Sequence, residues 1–204
     1  MKKIFLYLFA IVLILNTQYV NASSSDAQKW LNEEISTIIE LYRNQDIDKF
    51  TRLKAIQNSV NENFAGTGIA RFVVGSVWDE STEESRNEFI RLFKEHLYLT
   101  IGSLMRGYSN QNFELINSKK DQNQGVYLID MEIEYNDQKT LVTWRVKESK
   151  QRFYVIDLLV ADISLVRTKR AEFNSILKKF DNNLDELNFL LKTQNSISFN
   201  NLTN

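Results

Sequence analysis

The sequence predicts an α+β domain in which helices cover an antiparallel sheet of about four strands. Up to residue 108, and again after residue 164, apolar residues recur at intervals of three and four, which is the period of an amphipathic helix. Between these two segments the period falls to two, which is the period of a strand. A sheet that is apolar on one face needs a covering layer, and the flanking helices can provide it.

Four helices are expected before the sheet, over residues 25–43, 53–64, 69–77 and 81–108. The first and the fourth begin at residues 25–28 and 81–84, which have the form of a capping box. Gly66 and Gly68 interrupt the periodic pattern before the third helix. The fourth helix is the longest, and its apolar face is broad.

The two clearest strands lie on either side of a turn signal at residues 136–137. Apolar side chains alternate with acidic ones in the first strand and with basic or polar ones in the second. Together the strands present one apolar face, formed by Ile129, Met131, Ile133, Val142 and Trp144. On the other face, antiparallel pairing places the basic residues of the second strand opposite Glu132 and Glu134; these basic residues are Lys139, Arg145 and Lys147.

The remaining elements are less sharply marked. Residues 153–160 are apolar on both faces, which predicts a central strand, and a weaker strand is expected over residues 113–116. Two helices follow, over residues 165–180 and 184–191. The residues from 195 to 204 are mostly polar, so we expect them to form a flexible tail.

A secretory signal peptide is predicted at residues 1–22. Lys2 and Lys3 precede an apolar run over residues 4–15, and a short polar stretch then leads to Ala22. The run is shorter than the roughly twenty residues that a membrane-spanning helix needs. The chain has no cysteine for lipid attachment at the cleavage site. We therefore expect cleavage near Ala22, a location in the periplasm, and one domain over residues 23–194.

The charge balance argues against a nucleic-acid partner. The chain has 25 basic and 26 acidic residues, and removing residues 1–22 takes away two lysines, which leaves 23 basic against 26 acidic residues. A nearly neutral protein without a basic block lacks the electrostatic footprint that polyanion binding requires.

Few residues are suited to catalysis. His96 is the only histidine and there is no cysteine, so neither a zinc site nor a Cys–His pair can be assembled, and we expect no metal and no cofactor. Asp157 interrupts the apolar strand at residues 153–160. The favoured interpretation is a carboxylate that caps or pairs locally, with Arg167 or Arg170 on the next helix as the candidate partner.

Two blocks of residues resemble the MlaC, or toluene-tolerance, family. The first block consists of Phe72, Gly75, Trp78, residues 81–86, Phe89, Phe93 and Leu97. The second consists of residues 153–157 and 163–166, Arg170 and Phe173, with Trp144 and Arg145 at the end of the preceding strand. The resemblance extends over about residues 26–191. The chain departs from the family pattern at Ile156 and at Ala161 and Asp162, and it lacks the proline before the third helix.

This resemblance implies a phospholipid carrier of the periplasm, which is not an enzyme. Such a carrier moves lipid between a lipoprotein complex at the outer membrane and an inner-membrane ABC transporter that includes an MCE-domain protein. The implied fold is a cone like that of nuclear transport factors, with an internal apolar cavity for the acyl chains.

The implied ligand-binding cavity is expected between a helical wall and a sheet wall. The helical wall is predicted to comprise Phe72, Val73, Val77, Phe89, Phe93, Leu97, Ile101 and Met105. The sheet wall is predicted to comprise Ile129, Met131, Ile133, Val142 and Trp144. Two other functions stay open: a small cone-fold isomerase or dehydratase that uses Asp157 or His96, and a non-catalytic periplasmic adaptor with a solid core.

Overall fold

The computed structural model describes residues 23–108, 111–123, 125–135 and 138–204. The predicted signal peptide and the turn at residues 136–137 lie outside this part of the chain. In chain order, the helices and strands are α1 (Ser24–Arg43), α2 (Lys49–Asn63), α3 (Gly66–Val74), α4 (Val77–Glu80), α5 (Glu83–Met105), β1 (Asn112–Lys120), β2 (Val126–Tyr135), β3 (Gln138–Ser149), β4 (Arg152–Val160), β5 (Ile163–Ser164), α6 (Leu165–Lys179) and α7 (Leu184–Thr203).

The predicted α+β fold class is confirmed. Within the described residues the sheet has five antiparallel strands in the order β1-β2-β3-β4-β5, and β5 contributes only two residues. The segment predicted to be central, β4, therefore lies next to a very short edge strand. No helix in these parts of the chain is long and apolar enough to cross a bilayer.

The polar face of the sheet pairs its charges only partly as predicted. Lys139 lies 2.6 Å from a Glu132 carboxylate oxygen, as the alternation of β2 and β3 indicates. Arg145 lies instead near two other acids, with contacts of 3.2 Å to Asp121 and 3.8 Å to Asp157.

The helix starts differ slightly from the predicted capping boxes. The Ser23 hydroxyl accepts a hydrogen bond from the Asp26 amide, and the Asp26 carboxylate accepts one from the Ser23 amide. The cap of α1 is thus Ser23, two residues before the first residue of the motif predicted at residues 25–28. At α5 the cap is Thr82, one residue after the predicted Ser81, and its hydroxyl accepts a hydrogen bond from the Ser85 amide.

Apolar side chains form three buried clusters. The largest contains residues of all five helices from α3 through α7. At its centre are Phe89, Phe93 and Phe173, whose ring centres lie 5.8 to 6.2 Å apart. A second cluster packs α1 on the sheet through residues such as Leu31 and Tyr127. A third joins α2, α5 and the end of α7.

The residues after 194, for which a flexible tail was expected, form the last turns of a helix. α7 continues to Thr203, and the side chain of Leu202 is buried in the third cluster. Two buried asparagine amides hold the helix on α5: Asn188 donates to the Ser85 carbonyl oxygen at 3.0 Å and Asn195 donates to the Leu92 carbonyl oxygen at 2.9 Å. Asparagine thus occupies buried positions where a helical sequence pattern usually has apolar residues, so the pattern does not reveal the buried face.

The corner between α3 and α4 depends on Gly75. Its φ of 63° and ψ of −132° are accessible to glycine and strained for other residues. Arg170 closes over this corner: its guanidinium lies 4.5 Å from the centre of the Phe72 ring and donates to the Phe72 carbonyl oxygen at 2.8 Å. A Cβ at residue 75 lies only 3.2 Å from the Arg170 guanidinium.

We expect Gly75→Ala to lower the free energy of unfolding by about 1 to 3 kcal/mol, because the new side chain is strained at positive φ. Urea denaturation measures this change. Gly68→Ala is the control, since a Cβ at Gly68 meets no atom within 4 Å in a helix. Its stability should stay the same or rise by up to about 1 kcal/mol. Equal effects of the two substitutions contradict the role assigned to Gly75.

Candidate functional site

An apolar cavity of about 410 Å³ lies between α1, α2, the end of α5 and one face of the sheet. This volume falls within the roughly 300 to 1,000 Å³ of typical ligand pockets. The lining residues are Trp30, Leu31, Glu34, Ile35, Ile38, Ile39, Ile56, Ser59, Val60, Asn63, Phe64, Ile101, Leu104, Met105, Gly107, Tyr108, Gln111, Phe113, Met131, Ile133, Trp144 and Val155.

The hollow arises because α1 takes part in two clusters at once. Leu31 packs on the sheet in the second cluster, and Ile38 packs against α2 and α5 in the third. The cavity lies between these two clusters, and members of both line it. The apolar stripe of α1 therefore faces partly packed side chains and partly empty space.

The structure brings some of the predicted site residues together at this cavity. Ile101 and Met105 line it from the last turns of α5. Met131, Ile133 and Trp144 line it from β2 and β3. Two of these five side chains belong to the predicted helical wall and three to the predicted sheet wall, so part of each predicted wall lies at this cavity.

The other predicted residues do not line the cavity. Most of the helical set belongs to the first cluster, where α6 and α7 fill the space beside it: these residues are Val73, Val77, Phe89, Phe93 and, at its margin, Leu97. Phe72 is 43% exposed under the Arg170 guanidinium. Ile129 and Val142 are buried on the sheet outside the cavity. Apolar periodicity marks a buried face, but it does not distinguish a filled interior from a hollow one.

The largest part of the lining comes from α1 and α2, for which the sequence predicted amphipathic helices without a role in ligand binding. Ile35 and Ile39 lie one turn apart on α1, and Ile56 and Val60 lie one turn apart on α2. The spacing was visible in the sequence. The sequence did not show which surface the apolar face of each helix meets, because that depends on the tertiary structure.

A polar group interrupts the apolar lining between α1 and α2. The Asn63 amide donates a hydrogen bond to the Glu34 carboxylate. Burial raises the pKa of Glu34, and the nearby charges of Glu62 and Glu33 raise it further. The pair links two helices of the cavity wall.

The cavity opens near the junction of α5 and β1. Leu104 lines it and is nevertheless 70% exposed, and Gly107 beside it is also exposed. The Tyr108 hydroxyl accepts a hydrogen bond from Arg43 Nε at 3.1 Å and donates one to the Gln111 carbonyl oxygen at 3.3 Å. We call this group of Arg43, Leu104, Gly107, Tyr108 and Gln111 the mouth.

The two residues considered for catalysis lie outside the cavity lining. Asp157 is buried and serves the start of α6: it accepts hydrogen bonds from the Val166 amide at 3.1 Å and from the Ser164 hydroxyl at 2.6 Å. Its cationic neighbour is Arg145 rather than the predicted Arg167 or Arg170. Among the described residues no three histidine, aspartate or glutamate side chains lie together as a metal site.

His96 is buried in the first cluster, with its ring centre 6.3 Å from that of Phe173. Its Nε2 atom has no hydrogen-bond partner within the described parts of the chain. Burial, with the nearby charge of Lys169, lowers the pKa of His96 from 6.5 to about 4. The ring is therefore neutral at physiological pH.

The sequence matches the family model described as MlaC protein over residues 30–193. A search of curated protein sequences finds no match. The fold is similar to that of a phospholipid-binding protein from Ralstonia solanacearum, solved in complex with a phospholipid. The TM-score is 0.71 at 16% sequence identity, and the alignment covers 84% of this chain and 98% of the other. At this identity the likeness establishes the fold alone.

We expect the protein to lose about 2 kcal/mol of stability between pH 7 and pH 5 because of His96. The unfolded chain binds a proton near pH 6.5, whereas the folded chain does so only near pH 4. The contribution is thus fully present above pH 6.5 and disappears as the pH falls toward 4. Urea denaturation at the two pH values measures it.

His96→Gln is the control for this measurement, because it keeps every other titratable group. The variant should show a clearly smaller loss of stability over the same pH interval. If wild type and variant lose the same amount, His96 is not the origin of the dependence.

Proposed function

Because the chain belongs to the MlaC protein family, we propose that it is a phospholipid carrier of the periplasm. Its cargo enters the cavity with the acyl chains first, and the headgroup stays at the mouth. The observation that carries this proposal is the open apolar cavity of about 410 Å³ between α1, α2, α5 and the sheet.

The physical chemistry of lipid transfer supports a carrier of this kind. Two acyl chains contain on the order of thirty methylene groups, and each costs about 0.8 kcal/mol to expose to water, so free release costs more than 20 kcal/mol. A protein that offers an apolar lining comparable to the membrane interior avoids this cost. Transfer then needs direct docking to a donor and an acceptor and no catalytic group.

The proposed donor and acceptor are a lipoprotein complex at the outer membrane and an inner-membrane ABC transporter with an MCE-domain protein. A periplasmic location places the carrier between them, and the predicted signal peptide over residues 1–22 supports that location. The lining residues given above are the proposed ligand-binding set, and Ile101, Met105, Met131, Ile133 and Trp144 belong to it.

The two rival functions find less support in the molecule. An isomerase or dehydratase that uses Asp157 or His96 needs these groups next to bound substrate, but neither lines the cavity. An adaptor with a solid core disagrees with the hollow between the second and third clusters.

Native mass spectrometry of the purified protein should reveal a bound mass that matches a phospholipid. The same protein, once stripped of lipid, should take up phospholipid from vesicles, because the apolar lining replaces the bilayer interior. A protein that is isolated empty and takes up no lipid from vesicles contradicts the proposed function.

Filling the cavity from both sides should abolish this uptake. We expect the double variant Ile35→Trp, Ile133→Trp to keep the fold but to bind at least about tenfold less phospholipid, because the added rings occupy the space for the chains. Its circular dichroism spectrum checks that the fold is retained.

The matched control for the filled cavity is Ile163→Trp, Ile197→Trp, which adds the same rings at two exposed positions outside the lining. This variant should take up phospholipid like the wild type. Equal uptake by the two double variants contradicts the cavity as the binding site.

A further inference from the structure

We propose that Arg43 binds the phosphate group of the cargo lipid at the mouth of the cavity. This inference rests on the proposed function and adds to it a residue that recognises the polar part of the ligand. In the proposed contact, the guanidinium group of Arg43 holds a phosphate anion at the open end of the apolar cavity.

The position of Arg43 follows from the geometry of α1. Ile35 and Ile39 line the cavity, and Arg43 is the next residue at the same helical spacing, in the last turn of the helix. One face of α1 therefore carries apolar side chains along the cavity and a cation where the cavity ends. This is the order of acyl chain and phosphate in a phospholipid.

Tyr108 holds the guanidinium beside the opening. Its ring lines the cavity, and its hydroxyl accepts the hydrogen bond from Arg43 Nε at 3.1 Å. The proton of the same hydroxyl is directed to the Gln111 carbonyl oxygen at 3.3 Å. The hydroxyl oxygen is therefore oriented to accept from Arg43, which limits the movement of this long side chain.

The two terminal nitrogens of Arg43 are available to a ligand. Within the described residues no carboxylate lies at ion-pair distance from Arg43; the arginine ion pairs found there belong to Arg71, Arg91 and Arg145. Its only hydrogen bond in those residues uses Nε. The remaining fork of N–H groups fits two phosphate oxygens, which is the favoured geometry for arginine and phosphate.

A second cation strengthens the positive charge beside the mouth. The Tyr42 ring meets the Tyr108 ring edge to face at 6.4 Å, and the Arg52 guanidinium lies 5.4 Å from the centre of the Tyr42 ring. Arg52 also donates to the Asn44 carbonyl oxygen at 2.7 Å and has no ion-pair partner in the described part of the chain. Neither arginine has an ion-pair partner in the described residues, so both place positive charge beside a mostly apolar lining, which favours an anion there.

A purely structural role for Arg43 predicts a different pattern of effects. A cation in the last turn of a helix stabilises the helix through its dipole, and this effect does not depend on the ligand. The test must therefore compare two ligands with the same acyl chains, one with a phosphate and one without it.

The experiment measures binding of dioctanoyl phosphatidylglycerol and of dioctanoylglycerol to lipid-free protein by calorimetry. Arg43→Gln should weaken binding of the phospholipid about tenfold, because a charge-assisted hydrogen bond is lost, and should leave binding of dioctanoylglycerol unchanged. Arg43→Lys should lie between wild type and Arg43→Gln. Arg167→Gln removes an exposed arginine of α6, outside the cavity lining, and should bind both ligands like the wild type.

Tyr108→Phe provides a second variant in case Arg43→Gln folds poorly. Loss of the hydroxyl that positions the guanidinium should weaken phospholipid binding to a smaller extent and leave dioctanoylglycerol binding unchanged. Urea denaturation of each variant shows whether stability has changed.

The remaining outcomes are each decisive. If Arg43→Gln affects both ligands equally, or neither, the assignment of Arg43 is overturned while the carrier function stands. If the wild type binds neither ligand, the carrier function itself fails. If inorganic phosphate alone binds the wild type as tightly as the phospholipid and Arg43→Gln removes this binding, the site holds a free anion and the lipid assignment is overturned.

Discussion

The helices that cover the apolar face of the sheet contact only part of it, and the cavity lies where this contact is missing. Along β2, Tyr127 and Ile129 are completely covered by the second cluster, whereas Met131 and Ile133 further along the same face line the hollow. β3 repeats the change, from buried Val146 to Trp144 at the cavity. Apolar surface that the protein does not cover with its own side chains favours an apolar ligand in their place.

The long helix α5 divides the molecule into a filled part and a hollow part. Its first half contributes Phe89 and Phe93 to the aromatic cluster with α6 and α7, and its last turns contribute Ile101 and Met105 to the cavity. The filled part holds the last turns of α5 in position beside the cavity, because close-packed interiors resist deformation. One helix therefore serves stability at one end and binding at the other.

This division explains how much the sequence could reveal. Alternation in β2 and β3 identified which face of the sheet is apolar, because the strand period of two depends only on local geometry. The spacing of α5 identified a buried face in the same way. The sequence did not show that Phe93 packs against Phe173 whereas Met105 borders the cavity, since this depends on partners far away in the chain. The helical end of α7 was not predicted because its contact with α5 uses the amide of Asn195, and asparagine is a residue type that usually lies on the surface.

The proposed contacts at the two ends of the cavity differ in what they contribute to binding. Burying the acyl chains is worth on the order of 20 kcal/mol relative to water, whereas a charge-assisted hydrogen bond adds only about 1.5 to 3 kcal/mol. The apolar lining thus supplies most of the affinity, and it does so equally for either direction of entry. A cation at the mouth, next to Leu104, breaks this symmetry, because only the orientation with the headgroup outward brings the phosphate to Arg43. Orientation matters to a carrier, since a phosphate at the mouth keeps its contact with water, whereas a phosphate inside the apolar lining loses its hydration at a large cost in free energy.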